Sequence, residues 1–191
     1  MGVYVHGVGV AAPGMGDWLA ARSVLSGQSH YAPSDVSPGS PAFLPPNERR
    51  RVSRTIKLAL QVAHEAVQTA AVPLPQIPPV FASAWGDLEI MDRIHTALTQ
   101  PERPVSPTHF HNSVHNAAAG YWSIGTGTLR AVNAVAANEL SFTAGLLEAA
   151  TLAASDGGTA LLVAYDVTPP AALRSAVAVT QTFATALLLG A

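Results

Sequence analysis

The segment Thr159-Ala-Leu-Leu-Val-Ala-Tyr165 carries no charged side chain and no alternation of apolar with polar residues. A strand of that kind is buried on both faces, so its sheet needs helices on either side. Arg130-Ala-Val-Asn-Ala-Val-Ala-Ala137 is a second nearly apolar strand, and segments of helical periodicity lie between the strands. The pattern predicts an α/β chain with a largely parallel sheet covered on both faces.

The other elements follow from period and punctuation. Residues 3–10 alternate as a first strand, Ala12-Pro-Gly-Met-Gly16 turns the chain, and residues 17–25 form a short helix. A loop rich in Ser, Pro and Gly over 26–46 ends at Pro45-Pro46-Asn47-Glu48, where Asn47 can cap and Glu48 can complement the dipole of a helix over 48–71. Val52, Ile56, Ala59, Leu60, Ala63, Ala66, Val67 and Ala70 recur on one face of that helix, which the prolines of residues 73–79 stop. Residues 80–83 read as a strand, 87–98 and 138–154 as helices, 155–158 as a turn and 182–189 as the last strand.

The 191 residues fit one domain. Apolar residues make up 49% and charged ones only 12%, which predicts that a partner covers part of the surface. A net charge of −2 and a pI near 6.4 provide no basic field for nucleic acid. With no cysteine, disulfides, thiolate metal sites and cysteine catalysis are excluded. The first ten residues lack the positive region of a signal peptide, and Asn138, Glu139 and Glu148 interrupt the richest apolar region before it reaches membrane-spanning length. The expectation is a cytoplasmic protein without a membrane span.

Residues 106–127 concentrate three of the seven histidines with two asparagines and a Tyr-Trp pair. Three readings stay open. His109, His111 and His115 could share a cation, although no carboxylate lies between Glu102 and Glu139 to complete the set. The histidines and asparagines could instead bind loop backbone at a helix start, or line a pocket or interface. Ser113 does not face His115 on a helix, so a nucleophile and base pair is not favoured. Tyr121 and Trp122 fit core packing, or contact with an apolar chain or a partner subunit. Arg49, Arg50, Arg51, Arg54 and Lys57 place five of the ten basic residues within nine positions, as a solvated face or as a docking patch for an acidic protein. Asn138 stands at a strand-to-helix junction, where asparagine caps well.

In this order the pieces resemble the N-terminal half of the β-ketoacyl synthases, condensing enzymes of the thiolase superfamily. Gly2-Val-Tyr-Val-His-Gly-Val-Gly-Val resembles their first strand, Glu48-Arg-Arg-Arg-Val-Ser-Arg-Thr-Ile-Lys-Leu-Ala-Leu their arginine-rich helix, and Ala137-Asn-Glu-Leu-Ser-Phe142 their nucleophile elbow. The stretch from Ser106 to Ile124, with Ser141-Phe-Thr-Ala-Gly-Leu-Leu-Glu-Ala149, resembles the short chain-length-factor-like proteins of aryl polyene and xanthomonadin-type pigment clusters.

The resemblance implies a thiolase-like half: a layered αβα single domain over 1–191, with a mostly parallel five-stranded sheet and without the family's C-terminal half. It puts Asn138 in the nucleophile's place, and asparagine forms no thioester. The family's two active-site histidines lie in the half that this chain does not contain. The implied protein is a non-catalytic subunit that pairs with a ketosynthase and serves an acyl carrier protein, with the carrier's acyl-phosphopantetheine as an indirect ligand and no cofactor of its own. Phe110, His111, Asn112, His115, Asn116, Tyr121 and Trp122 become pocket or interface residues, and the strand over 130–137 the dimer strand. Arg49, Arg50, Arg51, Arg54 and Lys57 become carrier-docking candidates. A free-standing metal-dependent enzyme using His109, His111 and His115 is the alternative, and a self-associating scaffold or homodimer is compatible with the same residues.

Overall fold

In the computed structural model, residues 2–68, 70, 73–156 and 158–191 are described, Asp156 by its backbone alone. Strands β1 (Tyr4–Ala11), β2 (Pro79–Ala82), β3 (Asn133–Val135), β4 (Thr159–Asp166) and β5 (Phe183–Gly190) form one sheet in the order β1-β5-β4-β2-β3. β4 pairs with β2 and β2 with β3 in parallel, whereas β5 runs antiparallel to both β1 and β4. The sheet is therefore mixed, a correction to the expected mostly parallel one. β4 and β5 are joined by an excursion on which no long helix forms, so β5 returns reversed.

Helix α1 (Trp18–Leu25) is capped by Asp17, whose carboxylate accepts from the Ala20 amide at 2.8 Å. The single helix expected over 48–71 is instead two. α2 (Pro46–Arg49) is one turn, with Pro46 rather than Asn47 at its start, and α3 (Arg54–Val67) begins afresh at Ser53. The break has a local cause: the Ser53 hydroxyl accepts from the Ile56 amide at 3.1 Å, so Ser53 takes an extended conformation that ends any helix entering it. Ala70 lies past the end of α3; Ala71, the last residue of the expected helix, and Gly157 in the expected 155–158 turn fall outside the described residues.

α4 (Leu88–Leu98), α5 (Pro107–Asn112), α6 (Ala117–Thr126) and α7 (Ser141–Asp156) complete the helices. α3 and α6 cover one face of the sheet, where Leu58, Leu60, Val62, Tyr121 and Trp122 pack on Phe81, Leu161, Val163 and Leu188. α7 covers the other, packing Ala149 and Ala153 on Val80, Ala82, Leu162 and Leu189. α7 sits close to the sheet because Gly145 faces it: a Cβ there would stand 2.7 Å from that of Ala82. None of the described helices is long and apolar enough to cross a membrane.

Candidate functional site

The parallel strands β4, β2 and β3 end together, and the crossovers that leave β2 and β3 run to opposite faces of the sheet. In α/β folds that is where ligands and reacting groups collect. The turn after β2 is held from two sides. The Asp166 carboxylate, at the end of β4, accepts from the Ser83 hydroxyl (2.8 Å) and from the amides of Ala84 (3.1 Å) and Trp85 (3.2 Å). The Nε2–H of His115 donates to the Ser83 carbonyl at 2.9 Å. Trp85 rides on this clamped turn, partly exposed.

Beside it, β3 runs into an elbow. Asn138 has φ +53°, a left-handed conformation that few residues other than glycine adopt and that asparagine tolerates. A short 3-10 turn, Asn138–Leu140, leads into α7. The buried Ser141 hydroxyl braces the bend: it donates to the Asn138 carbonyl at 2.6 Å and accepts from the Ala137 amide at 3.0 Å. Ser141 thus does the fastening expected of Asn138 as a cap, and the Asn138 side chain stays exposed at the tip. A strained strand-turn-helix elbow that lifts one side chain clear of the sheet is the geometry in which enzymes present a nucleophile. An asparagine amide at that tip can form hydrogen bonds but no acyl-enzyme.

The histidine-rich segment does not form a single wall. α5 ends at Asn112, so His111 and His115 do not share a helical turn. His115 is spent on Ser83, His111 packs edge-on against the Tyr121 ring at 6.1 Å, and His109 lines a separate cavity. Among the described residues no three His, Asp or Glu side chains converge in a way that could hold a metal. Asn112, Tyr121 and Trp122 are buried, and Asn112 also lines the cavity that His109 borders. The Tyr121 hydroxyl donates to Asn112 Oδ1 (3.0 Å), and Asn112 Nδ2 donates to the Arg51 carbonyl (2.7 Å). Trp122 is fully buried between Phe43 and Phe81. Their burial follows from the small residues around them, Ala118 and Ala119, which let α6 approach α3 closely. Phe110 and Asn116 stay exposed, as do Val114, Leu129 and Leu140.

The basic cluster divides in a similar way. Arg49 points inward, donating to the carbonyls of Ala42 (2.7 Å) and Leu44 (2.8 Å), and Arg54 donates to the Val36 carbonyl at 2.8 Å. Both fasten the loop over 26–46. Lys57 lines a different cavity, with Phe43 and Gln61. Arg50 and Arg51, together with Arg54, border a cavity of about 360 Å³ with Arg93 and His109. Arg93, which sequence reasoning missed, comes from α4 and is paired with Glu89 at 2.5 Å.

Asp87 caps α4 by accepting from the Ile90 amide (3.1 Å), while its second oxygen is buried without a hydrogen-bond partner. Burial pushes its carboxyl above the usual 3.8, only partly offset by the nearby Ser53 and Thr55 hydroxyls and the Ile90 amide. A carboxyl with a raised folded-state pKa weakens the fold as pH climbs above its unfolded value. Asp87→Asn keeps the cap and removes the buried charge. It is expected to raise stability at pH 7 by on the order of 1 kcal/mol, with the gain vanishing below pH 3.8, as measured by thermal melts across pH.

Comparison with known proteins agrees with this geometry. The sequence model of the beta-ketoacyl synthase N-terminal domain matches residues 23–191, and the chain belongs to that family. No curated protein matches it. Among solved structures it is similar to a chain of the ketosynthase ApeO in complex with its chain length factor ApeC from Xenorhabdus doucetiae, at 27% identity and a TM-score of 0.81, over 100% of this chain and 79% of that one. It shares its fold with the ishigamide ketosynthase/chain length factor (16% identity, TM-score 0.77, 99% of this chain and 62% of that one). It likewise shares it with a chain of the complex of a type II polyketide synthase acyl-carrier protein with its ketosynthase bound to the hexaketide (15%, 0.76, 98% and 62%). The chain spans less than two thirds of these last two, and its fold is the thiolase-like fold of the ketosynthases.

Proposed function

We propose that this chain is a non-catalytic, chain-length-factor-like subunit that pairs with an active ketosynthase in carrier-protein-dependent polyene or fatty-acid-type synthesis. The observation that carries this reading is Asn138 at the tip of the elbow, where the family's nucleophile stands, in a chain with no cysteine. The likeness to a chain of a ketosynthase and chain length factor complex supports the kind of partner. β3 is an edge strand of three residues with Ala134 exposed, which leaves a place where a second sheet can join. The exposed Phe110, Val114 and Leu129 supply apolar surface that such a partner would cover. Arg50, Arg51 and Arg93 border one cavity and can turn positive charge toward an acidic carrier, Arg51 and Arg93 beside their partners Glu48 and Glu89, whereas Arg49 and Arg54 donate to loop carbonyls. A cytoplasmic setting follows from this role.

Co-expression with the ketosynthase and carrier protein of the same gene cluster tests the proposal. The chain is expected to co-purify with the ketosynthase, and its deletion to change product length or reduce yield at least tenfold. Asn138→Ala should leave product yield within twofold of the unaltered pair, whereas removing the ketosynthase's own cysteine nucleophile should abolish it. Failure to co-purify, together with an unchanged product on deletion, would rule the reading out.

A further inference from the structure

Four of the chain's ten basic residues surround one cavity of about 360 Å³, which falls in the size range of small-ligand sites. They reach it from separate elements. Arg50 and Arg51 stand at the hinge between α2 and α3, Arg54 on the first turn of α3 and Arg93 on α4, while α5 adds Thr108 and His109. Glu89 is the one acidic residue among the described residues of the lining. The hinge is held in place: the Arg51 amide donates to the Glu48 carbonyl at 2.9 Å, and the Arg51 carbonyl accepts from Asn112 Nδ2 at 2.7 Å. Asn112 is itself fixed by the Tyr121 hydroxyl, and with Val52 and Ile90 it forms the buried part of the lining. Ser53, the cap of the 14-residue α3, also lines the cavity, so the positive end of that helix opens on the same space. Arg54 uses one nitrogen on the Val36 carbonyl, and Arg51 and Arg93 lie beside Glu48 and Glu89, but each guanidinium keeps further N–H donors.

We infer that this cavity is a binding site for phosphate oxygens, with charge enough for a pyrophosphate group. The inference adds a ligand to the cations that the proposed function turns toward a carrier, and it rests on that reading only where the carrier competes for them. Geometry favours phosphate over carboxylate. A carboxylate is planar and takes one fork of donors, whereas a tetrahedral phosphate accepts from donors arriving on several sides. Here they arrive from the α2–α3 hinge, α3, α4 and α5. Charge points the same way: four arginines less Glu89 and the neighbouring Glu48 leave two positive charges, before His109 is counted. A phosphodiester offsets one of them; a pyrophosphate group offsets both. Whatever covers this cavity has to bring negative charge, because guanidinium groups buried without a counter-charge are costly. The phosphate can be free in solution or borne by a carrier's prosthetic arm, and competition separates the two sources.

Calorimetric titration of the purified chain with sodium pyrophosphate at fixed ionic strength tests the inference. Saturable binding of one anion per chain is expected, and citrate, a multiply charged carboxylate, should bind at least tenfold more weakly. Arg50→Ala combined with Arg93→Ala should lower the pyrophosphate affinity at least tenfold with an unchanged far-UV circular dichroism spectrum, whereas Arg22→Ala on α1 leaves it as it is. The citrate comparison uses the unaltered chain, so it does not depend on the double variant folding. Carrier protein with and without its phosphopantetheine is then added to the pyrophosphate-loaded chain. Displacement by both forms alike is expected, and it assigns the site to a free anion that competes with the carrier's acidic side chains. Displacement by the phosphopantetheine form alone would keep the site and give its phosphate to the carrier. No saturable binding of pyrophosphate, equal binding of citrate, or undiminished affinity in a folded double variant would overturn the inference. If pyrophosphate binds and neither carrier form displaces it, only the carrier docking of the functional reading fails; if ketosynthase and carrier bind and pyrophosphate does not, only this inference fails.

Discussion

A Gly9→Val variant is expected to yield no folded protein. α3 crosses β1 so closely that a Cβ on Gly9 would stand 2.1 Å from the Val62 carbonyl oxygen and 2.8 Å from its carbonyl carbon. Overpacking a core costs about 1–3 kcal/mol when side chains can yield. Here the obstacle is helix backbone, and relieving it means lifting α3, with Ile56, Leu58, Leu60 and Val62, off the sheet. The loss should exceed about 5 kcal/mol, comparable to the whole stability of a domain of this size. Gly39→Val serves as the control, since a Cβ there meets nothing within 4 Å. The control is expected to give a cooperative thermal melt and the Gly9 variant none; a cooperative melt from Gly9→Val would show that α3 does not rest on β1 in this way.

The close approach at Gly9 was not legible in the sequence. Gly7 and Gly9 alternate with Tyr, His and Val in a segment that reads simply as a strand, and only α3, about fifty residues later, supplies the reason for the missing side chains. Elements that depend on local signals were legible: Asp17 and Asp87 cap helices where the sequence places helix starts, and the apolar run of β4 is buried throughout but for its ends. The direction of β5 was not, because an apolar strand of Ala and Leu looks the same whether its neighbours run parallel or antiparallel.

The candidate site divides along the same line. Asn138 could be located because the elbow is one contiguous stretch, Ala137 to Phe142, and asparagine is a residue that tolerates the left-handed conformation found there. The clamp of Asp166 on the Ser83 turn spans some eighty residues, and the cavity joining Arg93 to Arg50 and Arg51 spans about forty, so neither leaves a spacing pattern to read. The histidine segment stayed open among several readings for the converse reason. Of the readings open there, a shared cation needed neighbouring histidines to converge, yet α5 stops at Asn112 and sends His109, His111 and His115 to three different neighbours, while His115 and Asn112 bind backbone carbonyls.

Ala134→Pro is expected to abolish co-purification with the ketosynthase while leaving the chain folded. The Ser83 amide donates to the Val135 carbonyl at 3.1 Å, and Ala82 lies opposite Val135 in the parallel ladder. In such a ladder a residue turns both of its backbone groups to the same side and its neighbours turn theirs to the other. Asn133 and Val135 therefore face β2, and Ala134 presents its N–H and C=O to the open edge. Proline at 134 removes that outward donor and places its ring there, at no cost to the β2–β3 hydrogen bonds, which is why proline is tolerated on edge strands. Its effect on a partner strand is larger, since one lost hydrogen bond is joined by a steric block at the centre of a strand only three residues long. Capture of the ketosynthase in a pull-down should fall at least a hundredfold while the melting temperature of the isolated chain moves by a few degrees at most. Retained capture by a folded Ala134→Pro chain would mean that the two proteins meet elsewhere, and the exposed arc of Phe110, Val114 and Leu129 would be the next surface to alter.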